Sequence, residues 1–284
     1  MSFLSTEALE TFGRLSGVRC STLLHSVLRE HLGLFPPCID LARTATLLDV
    51  AAHSGEWVRE VAGTYPEGVV LGLARSGVWV EYVRALAYQA RVGNVSFWES
   101  PLTELLAQSH CFDLVRACCV WLDVSPQAWP TVLQEWVRVC AYGGHMLWIE
   151  PNLPVIKSAA SASVCELLQR AIALSGHPPS ITQEMERLLS AALGHSVEVW
   201  ETSIDLSYGT NAYTMLCEHL PLLLSMVQRF LRQMKVASAK ELRQLYKQIT
   251  AEISSTTFMG SWSLTTVVGE KRFPPEVEAL AERA

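Results

Sequence analysis

Charge is scarce in this sequence. Asp, Glu, Lys and Arg make up only 18% of 284 residues, and the balance leaves a net charge of −6. No basic stripe is available to neutralise phosphates, which argues against a nucleic-acid partner. Long apolar runs are missing too. Half of the residues are hydrophobic, yet nowhere do the roughly 18 in succession occur that a membrane-spanning helix requires. The opening MSFLSTEAL has neither a basic n-region nor an apolar h-region, so no secretory leader is read there. The eight cysteines fall at irregular spacings, with Cys118 and Cys119 adjacent and no recurring C-x-x-C. No metal site is therefore expected, and free thiols in a reducing cytoplasm are. A P-loop, a Ser-His-Asp signature, internal repeats and low-complexity segments are likewise lacking. What remains is a compact globular chain, long enough for one large or two small domains.

The stretch around which the rest is organised is Thr44 to Trp57, TATLLDVAAHSGEW. Leu47, Leu48, Asp49 and Val50 form an apolar run that stops at a turn of small residues, Ala51 to Gly55. A helical pattern follows in which Trp57, Val58, Val61 and Ala62 share one face. Strand, tight turn and helix in this order begin a nucleotide-binding βα unit, because the helix N-terminus offers free N–H groups and a positive dipole end to a polar ligand. The turn is poor in glycine.

Residues 1–43 read as a helical cover, with Gly33, Pro36 and Pro37 breaking the pattern before the first strand. From 44 to 154 strands and helices alternate. Strands are read at 45–50, 69–73, 94–100, 112–122 and 145–151, and helices at about 56–64, 77–91 and from Ser125-Pro126 to Gly143-Gly144. The 112–122 strand is mostly apolar, as in a parallel sheet buried on both faces. The rhythm changes over 155–284. A helix at 159–174 precedes one that starts at the SITQ box (180–183) and stops at Gly194. An alternating strand follows at 197–207, then a helical insertion over 211–254 broken near Val236, and a last strand at 261–271. The alternation predicts an α/β, doubly wound, mostly parallel sheet of seven strands, with the helical insertion before the last strand.

Five segments in this order resemble the class I S-adenosylmethionine (SAM) dependent methyltransferases, the bacterial small-molecule type in particular. LLDVAAHSGEW is similar to their LD-x-G-x-G-x-G turn, and VVLGLARS (69–76) to the segment ending the second strand. NVSFWESPL (94–102), FDLV (112–115) and LQEWVRVCAYGGHMLWIEP (133–151) match the third to fifth strands. The resemblance implies SAM as cofactor, lying across the ends of strands one to four. It places Asp49, Ala51, His53, Gly55, Ala74, Arg75, Glu99, Ser100 and Arg116 on the cofactor side. Four positions depart from the pattern. Ala51 and His53 stand where the family has glycines, Ala74 where an acid accepts the ribose hydroxyls, and Pro101 where an acid meets the adenine amino group.

Asp49 reads as a ligand contact or as a turn cap, and His53 as a general base, a ligand contact or a loop residue. Glu99 reads as a substitute for the missing adenine acid or as a surface carboxylate. Trp121 and Asp123 are candidate cleft walls, and Cys118 and Cys119 small core residues. Glu150, closing the fifth strand, is the candidate for contacting the acceptor and, with His53, for catalysis. Tyr208, Tyr213 and His219 are candidates for lining an acceptor pocket. Three functional readings follow. The first is SAM-dependent methylation of a small, secondary-metabolite-like acceptor. The second is a methyltransferase fold that has lost methyl transfer and cyclises or rearranges a natural-product intermediate. The third is a non-catalytic partner of an active enzyme. A homodimer is compatible with each.

Overall fold

The computed structural model describes residues 25–40, 44–178 and 180–274. Most of the helical cover read at 1–43 lies outside them. In chain order the described elements are α1 (25–32), β1 (Thr46–Asp49), α2 (Glu56–Thr64), β2 (Val69–Ala74), α3 (Gly77–Gln89), β3 (Val95–Glu99), β4 (Phe112–Cys118), α4 (Trp129–Val139), β5 (Cys140–Pro151), β6 (Val155–Ile156), α5 (Ala159–Leu174), α6 (Ile181–Leu193), β7 (Glu198–Asp205), α7 (Asn211–Gln233), α8 (Ala239–Ile253) and β8 (Gly260–Glu270). They fall into two compact units. One comprises Gly33–Ile149, Thr182–Trp200 and Thr266–Ala284, the other Met1–Leu32, Glu150–Ile181 and Glu201–Thr265.

The first unit holds the parallel strands in the order β3-β2-β1-β4-β5, followed by β8. β1 lies between β2 and β4, so the order reverses there, and in an open α/β sheet ligands bind at the carboxyl ends of the strands flanking such a point. Burial explains the apolar runs. Leu47, Leu48, Val70, Leu114 and Val115 are all fully enclosed. On α2 the inward face is Trp57, Val58, Val61 and Ala62, the face read from the sequence. Four tryptophans, Trp121, Trp129, Trp136 and Trp148, form a buried cluster, with the Trp129 and Trp148 rings 4.5 Å apart. Large rings packed in this way contribute beyond the area that they bury.

Two boundaries differ from the sequence reading. Gly143-Gly144 does not end α4. The helix stops at Val139, and Cys140 is already extended at φ −64°, ψ 134°. The glycines lie inside β5 instead, where a Cβ on Gly144 would come within 2.9 Å of the Asp113 carbonyl, at the register shift between Phe112 and Leu114. The fourth strand ends at Cys118 rather than near 122. Cys119 turns the chain with φ +57°, and Trp121–Asp123 winds into a single 3-10 turn.

In the second unit β8 is flanked by β6 and β7. Among the described residues the two-residue β6 brings the strands to eight rather than seven; it pairs antiparallel with the start of β8, Val155 opposite Ser261. The insertion is a pair of helices, α7 and α8, packed with α5 around Ala171, Leu231 and Leu242. Each of the three helices has a hydroxyl cap. Ser158 accepts from Ser161 N–H, Thr210 from Tyr213 N–H, and Ser238 with Glu241 forms a reciprocal capping box. The break between α7 and α8 falls where Lys235 takes φ +56°, next to Val236. No helix among the described residues is long and apolar enough to cross a membrane.

Candidate functional site

The turn after β1 is tied down at both of its edges. Val50 N–H donates to the Arg116 carbonyl on β4, and Ala52 N–H to the Leu73 carbonyl on β2, both at 2.9 Å. The Asp49 carboxylate accepts from Ala51 N–H at 3.0 Å. Within the turn the backbone is left-handed twice, at His53 (φ +46°) and at Gly55 (φ +73°). Glycine adopts this conformation freely, whereas a residue with a Cβ is strained by about 1 kcal/mol or more. His53 thus keeps a shape that a glycine would hold more cheaply. Gly55 is the N-cap of α2, and no side chain caps that helix.

Asp49 is buried and paired with Arg116, its carboxylate 2.6 Å from Nη1. The guanidinium also lies 4.4 Å from the ring centre of Trp57, whose indole N–H donates to the Leu34 carbonyl. Burial, the largest single influence, works against the arginine's charge, but Asp49, Cys118 and Cys119 together outweigh it, and the group holds its proton more tightly than usual. Arg116 Nε has no hydrogen-bond partner among the described residues.

The His53 imidazole reaches from the turn to the end of β4, with Nε2 2.9 Å from the Cys118 carbonyl. A carbonyl only accepts, so Nε2 carries the proton. The Cys118 thiol lies 3.7 Å from that of Cys119. That hydrogen bond pulls the Cys118 pKa below its ordinary value; burial opposes the shift and Arg116 adds to it.

At the ends of β2 and β3, Ala74 stands opposite Glu99 in the ladder. Ser100 is buried and donates its N–H to the Ala74 carbonyl at 3.1 Å. The exposed Glu99 carboxylate lies beside the first residue of α3, 3.2 Å from where a Cβ on Gly77 would sit. An acid thus stands one strand over from the position at which the sequence has Ala74. Arg75 forms an ion pair with Asp123.

Asp49, Ala51, His53, Gly55, Ala74, Arg75, Glu99, Ser100 and Arg116 all belong to the first unit, on the carboxyl ends of β1 to β4 or the turns beyond them. Trp121 is in that unit too, but packed in the tryptophan cluster at 2% exposure rather than on an open wall. Glu150, Tyr208 and Tyr213 belong to the second unit. Glu150 is buried. The rings of Tyr208 and Tyr213 lie 5.2 Å apart, and the Tyr213 hydroxyl donates to the Ile253 carbonyl at 3.0 Å. Two participants escaped the sequence reading. Trp57 was legible only as part of an apolar face, and the Cys118 carbonyl is a backbone group that no side-chain pattern marks.

A parallel sheet in this order, with the turn after β1 at its reversal point, is the fold of the class I SAM-dependent methyltransferases. Residues 47–144 match the family described as "Methyltransferase domain". The similar solved structures include phosphoethanolamine N-methyltransferase 2 of Haemonchus contortus, in complex with phosphomonomethylethanolamine and S-adenosylhomocysteine (TM-score 0.52, 13% identity, 88% of this chain and 52% of that one). They also include a candidate methyltransferase from Bacillus halodurans C-125 (TM-score 0.51, 11% identity, 89% and 98%) and the YcgJ protein of Bacillus subtilis (TM-score 0.50, 13% identity, 89% and 100%). At these identities the likeness is one of fold. No curated protein matches the sequence.

Proposed function

We propose that this protein is a SAM-dependent methyltransferase acting on a small-molecule acceptor. The observation that carries the reading is the twice left-handed turn at His53 and Gly55, set between β1 and the uncapped start of α2. The residues present fit SAM through this backbone shape. The left-handed residues would let the chain approach the ligand closely, and the first turn of α2 would direct its N–H groups toward it. Ala51 and Gly55 would line the turn, and Asp49, held by Arg116, would keep it in shape. Glu99, assisted by Ser100, would accept the ribose hydroxyls in place of an acid at Ala74, and Arg75 would lie at the rim. The relative from Haemonchus contortus holds S-adenosylhomocysteine on the same fold.

When bound, SAM supplies an electrophilic methyl group. The chain's own task is then to align the acceptor and to exclude water, and for a hydroxyl acceptor to remove a proton. His53 would serve as that base once its imidazole leaves the Cys118 carbonyl.

A second reading keeps the fold without methyl transfer, the pocket cyclising or rearranging a natural-product intermediate. It is favoured by the internal satisfaction of the polar groups, with Asp49 on Arg116, His53 on Cys118 and Arg75 on Asp123. Calorimetric titration with SAM and S-adenosylhomocysteine, followed by mass spectrometry of acceptor panels incubated with SAM, separates the two. Micromolar binding with a methylated product supports the first reading. No binding at millimolar ligand sinks it, and binding without any methylated product favours the second.

A further inference from the structure

Two adjacent thiols stand at the end of β4, with the Cys118 and Cys119 sulfurs 3.7 Å apart. Successive side chains of a strand point to opposite faces, which ordinarily holds neighbouring cysteines apart. Here Cys119 takes φ +57°, a left-handed conformation that costs a residue with a Cβ. The alternation ends at that turn, and the two sulfurs meet. Cys118 is buried, whereas Cys119 is only partly so. The hydrogen bond between the thiols, aided by the Arg116 charge and opposed by burial, favours the Cys118 thiolate, the form in which a cysteine reacts.

The peptide that joins the two residues is held from both sides. Its carbonyl accepts from His53 Nε2 at 2.9 Å, and its N–H donates to the Ile149 carbonyl on β5 at 3.0 Å. Bringing the sulfurs to the roughly 2.0 Å of a disulfide turns this peptide plane, and a rigid plane carries its carbonyl with it. Of the two anchors His53 is the weaker. It is a side chain on a turn that is itself left-handed at φ +46°, whereas Ile149 is backbone in a strand paired with β4.

We propose that Cys118 and Cys119 form a reversible oxidation site, which a peroxide closes to a disulfide between neighbours, and that closure releases His53 from the Cys118 carbonyl. The Cys119 thiolate, the more accessible of the two, attacks a peroxide oxygen. The O–O bond breaks, Cys119 becomes a sulfenic acid, and the hydroxide released takes a proton to leave as water. The Cys118 thiolate then attacks the Cys119 sulfur. An S–S bond forms, the S–O bond breaks, and a second water leaves. Two thiols and one hydrogen peroxide thus give one disulfide and two waters. Adjacent Cα atoms lie about 3.8 Å apart, closer than the roughly 4.4–6.8 Å of ordinary disulfides, so the ring is tight and yields readily to a reducing dithiol. None of this rests on the reading of the turn after β1 as a SAM site.

The test exposes the full chain to hydrogen peroxide, blocks the remaining thiols with N-ethylmaleimide and digests with trypsin. Cleavage after Arg116 and Arg138 gives peptide 117–138, which holds Cys118, Cys119 and no other cysteine. The expected result is that this peptide loses two hydrogens and takes up no maleimide, and that dithiothreitol restores two reactive thiols. In parallel, diethyl pyrocarbonate reports on the imidazole, because tryptic peptide 44–59 holds His53 as its single histidine. Labelling of His53 should rise about fivefold on oxidation, the worth of one ordinary hydrogen bond, and fall back with dithiothreitol. It should not rise in peroxide-treated Cys119→Ser. Reversal in the unaltered chain keeps the test independent of how that variant folds, and neither readout involves SAM. A peptide 117–138 that still takes two maleimides, or that gains only oxygen, overturns the oxidation site. A disulfide that forms while His53 labelling stays constant overturns the release.

Discussion

Asp49 and Arg116 stand opposite each other in the β1–β4 ladder, and their side chains meet in a buried ion pair of 2.6 Å. Paired ladder positions put both side chains on the same face of the sheet, so the register itself brings the charges together. The acid that ends the first strand is therefore occupied by the neighbouring strand, and it supports the turn from behind.

Removing one partner leaves the other charge buried and alone. Arg116→Met should lower stability by about 3 kcal/mol or more, measured by urea unfolding at neutral pH. Asp49→Leu added to it should recover most of that loss, because an apolar pair of similar volume carries no unpaired charge. A single variant within 1 kcal/mol of the parent, on the order of the surface-pair value, would contradict the burial described.

His53→Gly should be close to neutral for stability. The glycine relieves the left-handed strain of about 1 kcal/mol, while the hydrogen bond to Cys118 of about the same worth is lost. On the methyltransferase reading the variant frees the space between the turn and β4. S-adenosylhomocysteine affinity should then rise about tenfold by calorimetry. An unchanged affinity would mean that the imidazole does not obstruct the site.

Glu99→Gln keeps the side chain's size and removes its charge. If Glu99 accepts the ribose hydroxyls, S-adenosylhomocysteine binding should weaken about tenfold, the worth of a charged hydrogen bond. Ala74→Asp in the same background should restore it from the adjacent strand. Rescue without prior loss, or loss without rescue, would dissociate the two positions.

A pH dependence follows from Glu135. Its carboxylate accepts from Arg138 at 2.7 and 2.8 Å and from Leu105 N–H at 2.8 Å. The Arg138 hydrogen bonds hold its pKa below the ordinary 4.5, with burial pulling the other way. The folded carboxylate stays ionised where the unfolded one takes a proton. Its contribution is therefore complete above the unfolded value and lost as pH falls through the depressed folded one. Glu135→Gln should cost about 1 kcal/mol at neutral pH and nothing near pH 2. An equal loss at both pH values would assign the effect to packing.

Much of this architecture was legible in advance because helices and strands announce themselves locally. The period of Trp57, Val58, Val61 and Ala62 marks one buried face, and Ser238 with Glu241 marks a helix start wherever the helix goes. Gly143-Gly144 misled for the same reason. A glycine pair after a helical run resembles a cap, and only the close approach of the Asp113 carbonyl explains why glycine is needed inside a strand. Trp121 was read as a cleft wall, since its place in a tryptophan cluster depends on α4 and β5 folding around it.

The order of elements, the strand–turn–helix at 44–57 and the presence of Ala74 and Pro101 rather than acids are properties of the sequence alone, because each is set by residues near one another in the chain. The partners of the site residues are not. Asp49 meets Arg116 across 67 positions and His53 meets the Cys118 carbonyl across 65. Glu99 comes beside Ala74 only through the β2–β3 register. Those pairings arise from the alignment of strands in the folded sheet, a long-range choice made by the burial of the whole core, and so only the tertiary structure decided which groups are left to meet a ligand.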